Sequence, residues 1–416
     1  MDSSSTPYTL PFGEPDGLTF PPLYAKIQRE EPLARIRMAY GGDAWMVTRY
    51  DDVKAVLSDP RFSRAATVGA DVPRMAPSVN EGLIRSLAAV CPDDPDRQYA
   101  LAVAIVSSQS AAIVSMDPPE HTRLRRPIAT AFAARRIEQW RPRITEITHE
   151  LLDAMEKQGK PADLVQGLAR PLPIAVICAI LGLPTPYHFG AVTDKELQAG
   201  ALIRMHSHLT AAVTERRLNP TEDLLSALLQ ARDDGDQLTE EEVVDLGMSL
   251  LMAGYETTAA QIANFTATLF RYPAYLQELR ADPALIPSAV EDLLRMMPLT
   301  MHGGLVRIAT EDVELSGGTV GKGETILPYI HTANRDPEVF EQPDELDFHR
   351  RHNPHLVFGF GPHHCVGAQL ARMELQVALR ALLTRFPALE CAIEPDQIEY
   401  PKAKVVRWPE TLPVTW

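Results

Sequence analysis

The residues best suited to chemistry lie in one run, Phe358-Gly359-Phe360-Gly361-Pro362-His363-His364-Cys365-Val366-Gly367. A cysteine binds metal as the thiolate, so its surroundings must favour loss of the proton. A helix is expected to start just beyond Cys365, with its amide N–H groups and positive end pointing back at the sulfur. Both features lower a thiol pKa. Three glycines in the run let the backbone pass close to a ligand. A lone axial thiolate is one of the few ways a protein holds haem iron, and it favours O–O cleavage by pushing electron density onto the metal. The other cysteines, Cys91, Cys178 and Cys391, have no Cys-x-x-Cys neighbour and read as core or surface residues.

A second constellation is Ala253-Gly254-Tyr255-Glu256-Thr257-Thr258, a polar run in the most apolar helical stretch of the chain. A carboxylate buried there costs several kcal/mol unless paired or solvated. Gly254 weakens a helix by roughly 1 kcal/mol relative to alanine. A threonine hydroxyl can bond the carbonyl four residues earlier or leave it for a ligand. These residues predict a helix bent open around something polar.

The elements that must position these groups are mostly helices. Thr239 followed by Glu242 is a capping-box start for a helix over 240–270 that is apolar on nearly all faces and therefore runs through a core. Other helices are expected from Pro119 towards Arg136 and over 139–157, 166–182, 188–217, 221–231, 287–296 and 368–386. Short strands are expected at 45–48 and, after residue 305, at 306–308, 313–315 and 325–328, with Gly317-Gly318 as a hairpin turn. Residues 65–116 read as a long, partly helical connection. The fold class is mainly α, an α+β arrangement with small sheets in separate places.

The composition sets outer bounds. A net charge of -15, from 55 acidic and 40 basic residues, disfavours general nucleic-acid binding. The N-terminus lacks a signal-peptide pattern, and no run of 18 or more uncharged apolar residues occurs, so neither export nor a membrane span is expected. A cytoplasmic protein follows. No Gly-x-Gly-x-x-Gly follows a strand, so no flavin or nicotinamide is expected on this chain and electrons must arrive from another protein.

The run Phe358, Gly359, Gly361, His363, Cys365, Gly367 fills every place of the haem-binding signature of the cytochrome P450 superfamily, which this chain resembles from about residue 20 to its end. The resemblance implies a triangular, helix-rich P450 fold spanning 1–416 as one domain, with 1–18 as an N-terminal extension and 67–115 as a long loop over the distal face. It implies haem b (iron protoporphyrin IX) on Cys365, with dioxygen as co-substrate. Thr257 then hydrogen-bonds dioxygen, Glu256 relays protons, and Ala253 lines the groove between them. His121 and Arg125, four apart on one helix face, read in isolation as part of an ordinary basic helix. The resemblance makes them a clamp for a haem propionate, with Arg307 and His363 at two further propionate positions.

The family also carries a Glu-x-x-Arg pair. Here Arg295 is preceded by Asp292, one methylene shorter, and Asp292, Arg295 and Arg350 are expected to keep the structural role with a closer approach. Mapped in the same way, the substrate pocket draws on Met75, Leu251, Met252, Leu299, Thr300, Met301, Val306 and Lys404. The substrate is expected to be a mid-sized, largely apolar organic molecule of bacterial biosynthesis, hydroxylated or epoxidised. Ferredoxin and ferredoxin reductase are the expected electron donors, docking on Arg123, Arg126, Arg135, Arg136, His364 and Arg372 of a monomer. Oxidative coupling, peroxygenation, NO reduction and a non-enzymatic haem sensor remain the competing readings.

Overall fold

The helix through the core shows how local sequence becomes architecture. In the computed structural model, Thr239 Oγ1 accepts from the Glu242 amide at 3.1 Å, and the Glu242 carboxylate accepts from the Thr239 amide at 2.9 Å. Glu240, Glu241 and Glu242 add negative charge at the positive end of the helix dipole. The resulting helix, Glu240–Arg271, has 32 residues and is about 48 Å long at 1.5 Å per residue. The structure describes residues 7–13, 18–74, 112–184, 195–233, 236–300, 303–401 and 405–416.

Eight helices matter for the site: α1 (Tyr50–Ser58), α2 (Glu120–Ala131), α3 (Arg141–Gln158), α4 (Pro171–Leu181), α5 (Lys195–Leu218), α6 (Glu240–Arg271), α7 (Ile286–Met296) and α8 (Ala368–Arg385). α6 packs on α4, α5 and α8, and α8 on α3 and α7. α6 and α8 thus form the centre of the largest hydrophobic cluster, which draws on residues from Leu18 to Val414. The expected helix from Pro119 towards Arg136 is two helices, α2 and a short Ala134–Glu138, parted at Phe132. The stretch expected over 166–182 opens with a π-helical turn, Val165–Ala169, before α4.

A six-stranded sheet joins the N-terminal part of the chain to strands between residues 307 and 328. Its strands are β1 (Tyr8–Thr9), β2 (Leu33–Arg37), β3 (Asp43–Val47), β4 (Phe62–Ser63), β5 (Arg307–Ala309) and β6 (Thr325–Pro328), in the order β1-β2-β3-β6-β5-β4. β6 lies parallel to β3, with Leu327 opposite Met46, and antiparallel to β5. This sheet places Arg307 beside Phe62, whose carbonyl accepts a hydrogen bond from Arg307 Nη1 at 3.2 Å. Three small sheets lie elsewhere, including the expected hairpin of Val313–Leu315 and Gly318–Val320.

Below the site, Asp292 of α7 is fully buried and accepts five hydrogen bonds. They come from Arg295 Nε at 2.7 Å and Nη2 at 3.2 Å, Arg350 Nε at 3.1 Å, Asn353 Nδ2 at 3.1 Å and the Asp347 amide at 2.6 Å. The shorter carboxylate therefore keeps a two-pronged grip on Arg295. The Arg295 guanidinium also donates to the carbonyls of Asn334, Pro343 and Glu345, locking the irregular chain before the cysteine loop onto α7.

Candidate active site

The cysteine loop is shaped by backbone stereochemistry. Gly359 and Gly361 have φ of 73° and 71°, in the left-handed region that favours glycine. A Cβ on Gly361 would meet Ser58 Cα at 2.8 Å, so the loop rests directly on α1. The Cys365 amide donates to the Phe358 carbonyl at 2.7 Å, closing the loop, and α8 begins three residues later.

Cys365 lines a cavity of about 410 Å³ together with Ala253, Gly254 and Thr257 of α6 and Phe358, Gly359, His363 and Gly367 of its own loop. Burial pushes the thiol up; the Gly367 amide and the Arg125 and Arg372 cations pull the other way without winning. The Gly367 amide lowers this thiol, as the helix start predicts, while burial sets the net direction. A bound cation would be needed to complete the deprotonation. Among the described residues no group of three or more His, Cys, Asp or Glu side chains converges to hold a metal ion.

One side of the cavity is crowded with positive and donor groups. The rings of His121 and His363 are 4.3 Å apart. Buried His121 Nδ1 and Arg307 Nε have no hydrogen-bond partner. Burial, and then the neighbouring His121, Arg307 and Arg64, push His363 down to about 3, with Asp117 opposing them. Arg307 is lowered to about 10, first by burial and then by Arg64. Orphaned donors and mutually repelling cations fit a ligand that brings its own carboxylates, as haem does on one edge. Arg125 of α2 is held by a hydrogen bond to the His364 carbonyl and lies within electrostatic reach of Cys365.

The opposite chemistry sits on α6. The helix stays helical through the polar run and does not break there. Thr257 Oγ1 donates to the Ala253 carbonyl at 2.8 Å, so the hydroxyl satisfies the backbone while facing the cavity. Glu256 is exposed and lies outside the cavity wall.

Of the expected pocket residues, Leu299 and Thr300 line the cavity. Leu251 is instead packed in the core at 5% exposure and Met252 is 47% exposed, because the α-helical period turns these side chains away; Val306, just before β5, packs on the N-terminal cluster. Met75, Met301 and Lys404 lie outside the described residues. Ile177, Leu250, His331, Gln261 and Glu374 line the cavity and were missed. Leu250 and Gln261 were detectable from their helical spacing to Ala253 and Thr257; Ile177, on another helix, was not. In the expected basic dock, Arg126, Arg135, Arg136 and His364 are exposed, whereas Arg123 pairs with Glu242 and Arg372 with Glu291.

No helix among the described residues is long and apolar enough to cross a membrane. Residues 199–415 match the cytochrome P450 family. Nocardicin C N-oxygenase of Nocardia uniformis subsp. tsuyamanensis is 45% identical over 98% of both chains. Mycinamicin IV hydroxylase/epoxidase of Micromonospora griseorubida is 43% identical over 100% of both. The crystal structure of the LnmA cytochrome P450 hydroxylase from the leinamycin biosynthetic pathway of Streptomyces atroolivaceus S-140 superposes with a TM-score of 0.85 at 44% identity, covering 98% of this chain and 100% of that one. A cysteine loop that shares a cavity with a long core helix, matched over the full length by relatives of this kind, has one reading: the chain belongs to the cytochrome P450 superfamily and is an oxidoreductase of that type.

Proposed function

We propose that the protein is a haem-thiolate monooxygenase that inserts one oxygen atom from dioxygen into a mid-sized, largely apolar organic substrate in bacterial natural-product biosynthesis. The observation that carries this reading is the convergence of Cys365 and Thr257 on one cavity, beside donors that have no protein acceptor. A bound haem supplies one-electron chemistry at iron and the place where dioxygen is reduced.

In this reading Cys365 is the iron ligand, and His121, Arg125, Arg307 and His363 hold the haem carboxylates. Ala253, Phe358, Gly359 and Gly367 form the wall against the ring. Thr257 holds a proton at Oγ1, and Glu256, exposed at the end of the polar run, exchanges protons with solvent on its behalf. Ile177, Leu250, Leu294, Leu299 and Leu305 exclude water and receive apolar parts of the substrate, with Thr300 available to a polar substituent. Relatives named for N-oxygenation of nocardicin C and for hydroxylation or epoxidation of mycinamicin IV support oxygen insertion in a biosynthetic setting.

Electrons come from ferredoxin and its reductase. Exposed Arg126, Arg135, Arg136 and His364 form the dock, so an acidic partner is steered there despite the chain's overall negative charge. The chain works as one domain, since the largest core cluster takes residues from Leu18 to Val414, and in this reading it acts as a monomer in the cytoplasm.

The test is the absorption spectrum of the reduced, carbon monoxide-bound protein. The wild type is expected to show the red-shifted Soret band of thiolate ligation, and Cys365→His is expected to lose it while retaining haem. A wild-type protein that binds haem without that band overturns the assignment.

A further inference from the structure

Behind the cysteine loop lies a charged cluster to which the reading above gives no role. Glu291 of α7 accepts from Arg372 Nε of α8 at 2.8 and 3.0 Å, and its other contact is His355 Nε2 at 3.1 Å. Glu291 and Arg372 are both largely withdrawn from solvent, with side chains 27% and 24% exposed, so water screens their charges only in part. The Arg372 guanidinium lies 4.4 Å over the ring of Phe358, and His355 meets the same ring at 6.0 Å. Phe358 in turn takes the Cys365 amide hydrogen bond at 2.7 Å. A positive charge is therefore clamped onto the side chain of the residue whose carbonyl closes the cysteine loop, and the clamp is a carboxylate on a different helix.

We infer that Glu291 is a positioning residue that holds Arg372 against Phe358 and so sets the charge beside Cys365, and with it the reduction potential of a haem bound there. This rests on the haem-thiolate reading. Burial alone would raise the Glu291 carboxyl, but the bonds from His355 and Arg372 hold it below its usual value, so it is a carboxylate at neutral pH. Arg372 acts on the sulfur as a cation. Glu291 is paired with that cation and offsets it.

The sign of each perturbation follows from elementary electrostatics. A cation near iron stabilises the added electron and raises the potential; an unbalanced anion lowers it. Glu291→Gln leaves Arg372 uncompensated, and the glutamine carbonyl still accepts from it. Arg372→Gln leaves the carboxylate uncompensated. The double variant restores neutrality.

The experiment is spectroelectrochemical titration of haem-loaded wild type, Glu291→Gln, Arg372→Gln and the double variant. Glu291→Gln is expected to favour the reduced form by roughly tenfold, equivalent to about 59 mV for a one-electron couple. Arg372→Gln is expected to shift the opposite way, and the double variant to return most of the distance to wild type. Damage to the loop would move all three variants in one direction, so shifts of the same sign, or shifts below twofold, overturn the inference. Should Arg372→Gln not load haem, Glu291→Gln decides alone: a fall in potential overturns the idea. A wild type without the red-shifted carbon monoxide band would instead defeat the haem-thiolate reading, which separates the two failures.

Discussion

Replacing Asp292 by asparagine removes the one anion at the centre of a buried network. Asp292 and Arg295 are both 0% exposed at their side chains, and five donors converge on the two carboxylate oxygens at 2.6–3.2 Å. Asparagine offers a single acceptor oxygen and points an NH2 group at donors that already face it. Arg295 cannot escape to water, because three backbone carbonyls hold its remaining N–H groups. Removing one partner of such a pair costs about 3–5 kcal/mol, against a total stability of about 5–15 kcal/mol. Asp292→Glu restores the family's usual residue, yet it adds a methylene to a site without slack and should cost about 1–3 kcal/mol. Guanidinium unfolding of the haem-loaded proteins, followed by tryptophan fluorescence, measures both. An Asp292→Asn protein within about 1 kcal/mol of wild type, or an Asp292→Glu protein more stable than wild type, refutes the reasoning.

Three further outcomes are expected. Glu374 is fully buried on α8 with one oxygen unpartnered, and burial raises its carboxyl well above the usual range. The folded protein keeps this proton while the unfolded chain loses it above about pH 4.3. The stability tied to this group is therefore complete below that pH and falls as pH rises towards the folded value, by up to about 1.36 kcal/mol per pH unit. Glu374→Gln should gain on wild type by that slope between pH 5 and 7, and parallel stability profiles would count against it. Gly361→Ala combines a left-handed φ of 71° with a Cβ 2.8 Å from Ser58 Cα. The conformation alone costs about 1–2 kcal/mol, and the ratio of haem to protein after purification should fall; an unchanged ratio contradicts the account of the loop. Thr257→Ala should lower product formed per electron consumed by about a hundredfold or more, at the lower end of the about 10²–10⁴ that a positioned proton donor contributes. Thr257→Ser should retain most of the wild-type yield.

Much of the site could be read from contiguous residues. The glycines around Cys365 and the capping box at Thr239 are local patterns, and local stereochemistry acts on them in the same way in any fold. Pocket residues were read less well. Leu251, Met252 and Val306 sit next to cavity residues in sequence, yet the helical and sheet periods aim them at core or solvent. Ile177 faces the cavity only because α4 packs across α6.

From the order of residues alone came the glycine-rich cysteine loop, the long core helix and the largely helical class, since each rests on chain-local chemistry or on composition. Folding added what depends on neighbours distant along the chain. The pairing of Arg307 with Ile326 holds Arg307 at the cavity edge, the contact of α7 with α8 turns Arg372 from a surface charge into a clamped one, and desolvation raises the Cys365 thiol against the pull of its neighbours. Burial and charge environment are sums over everything nearby in space, and no window of sequence contains that sum.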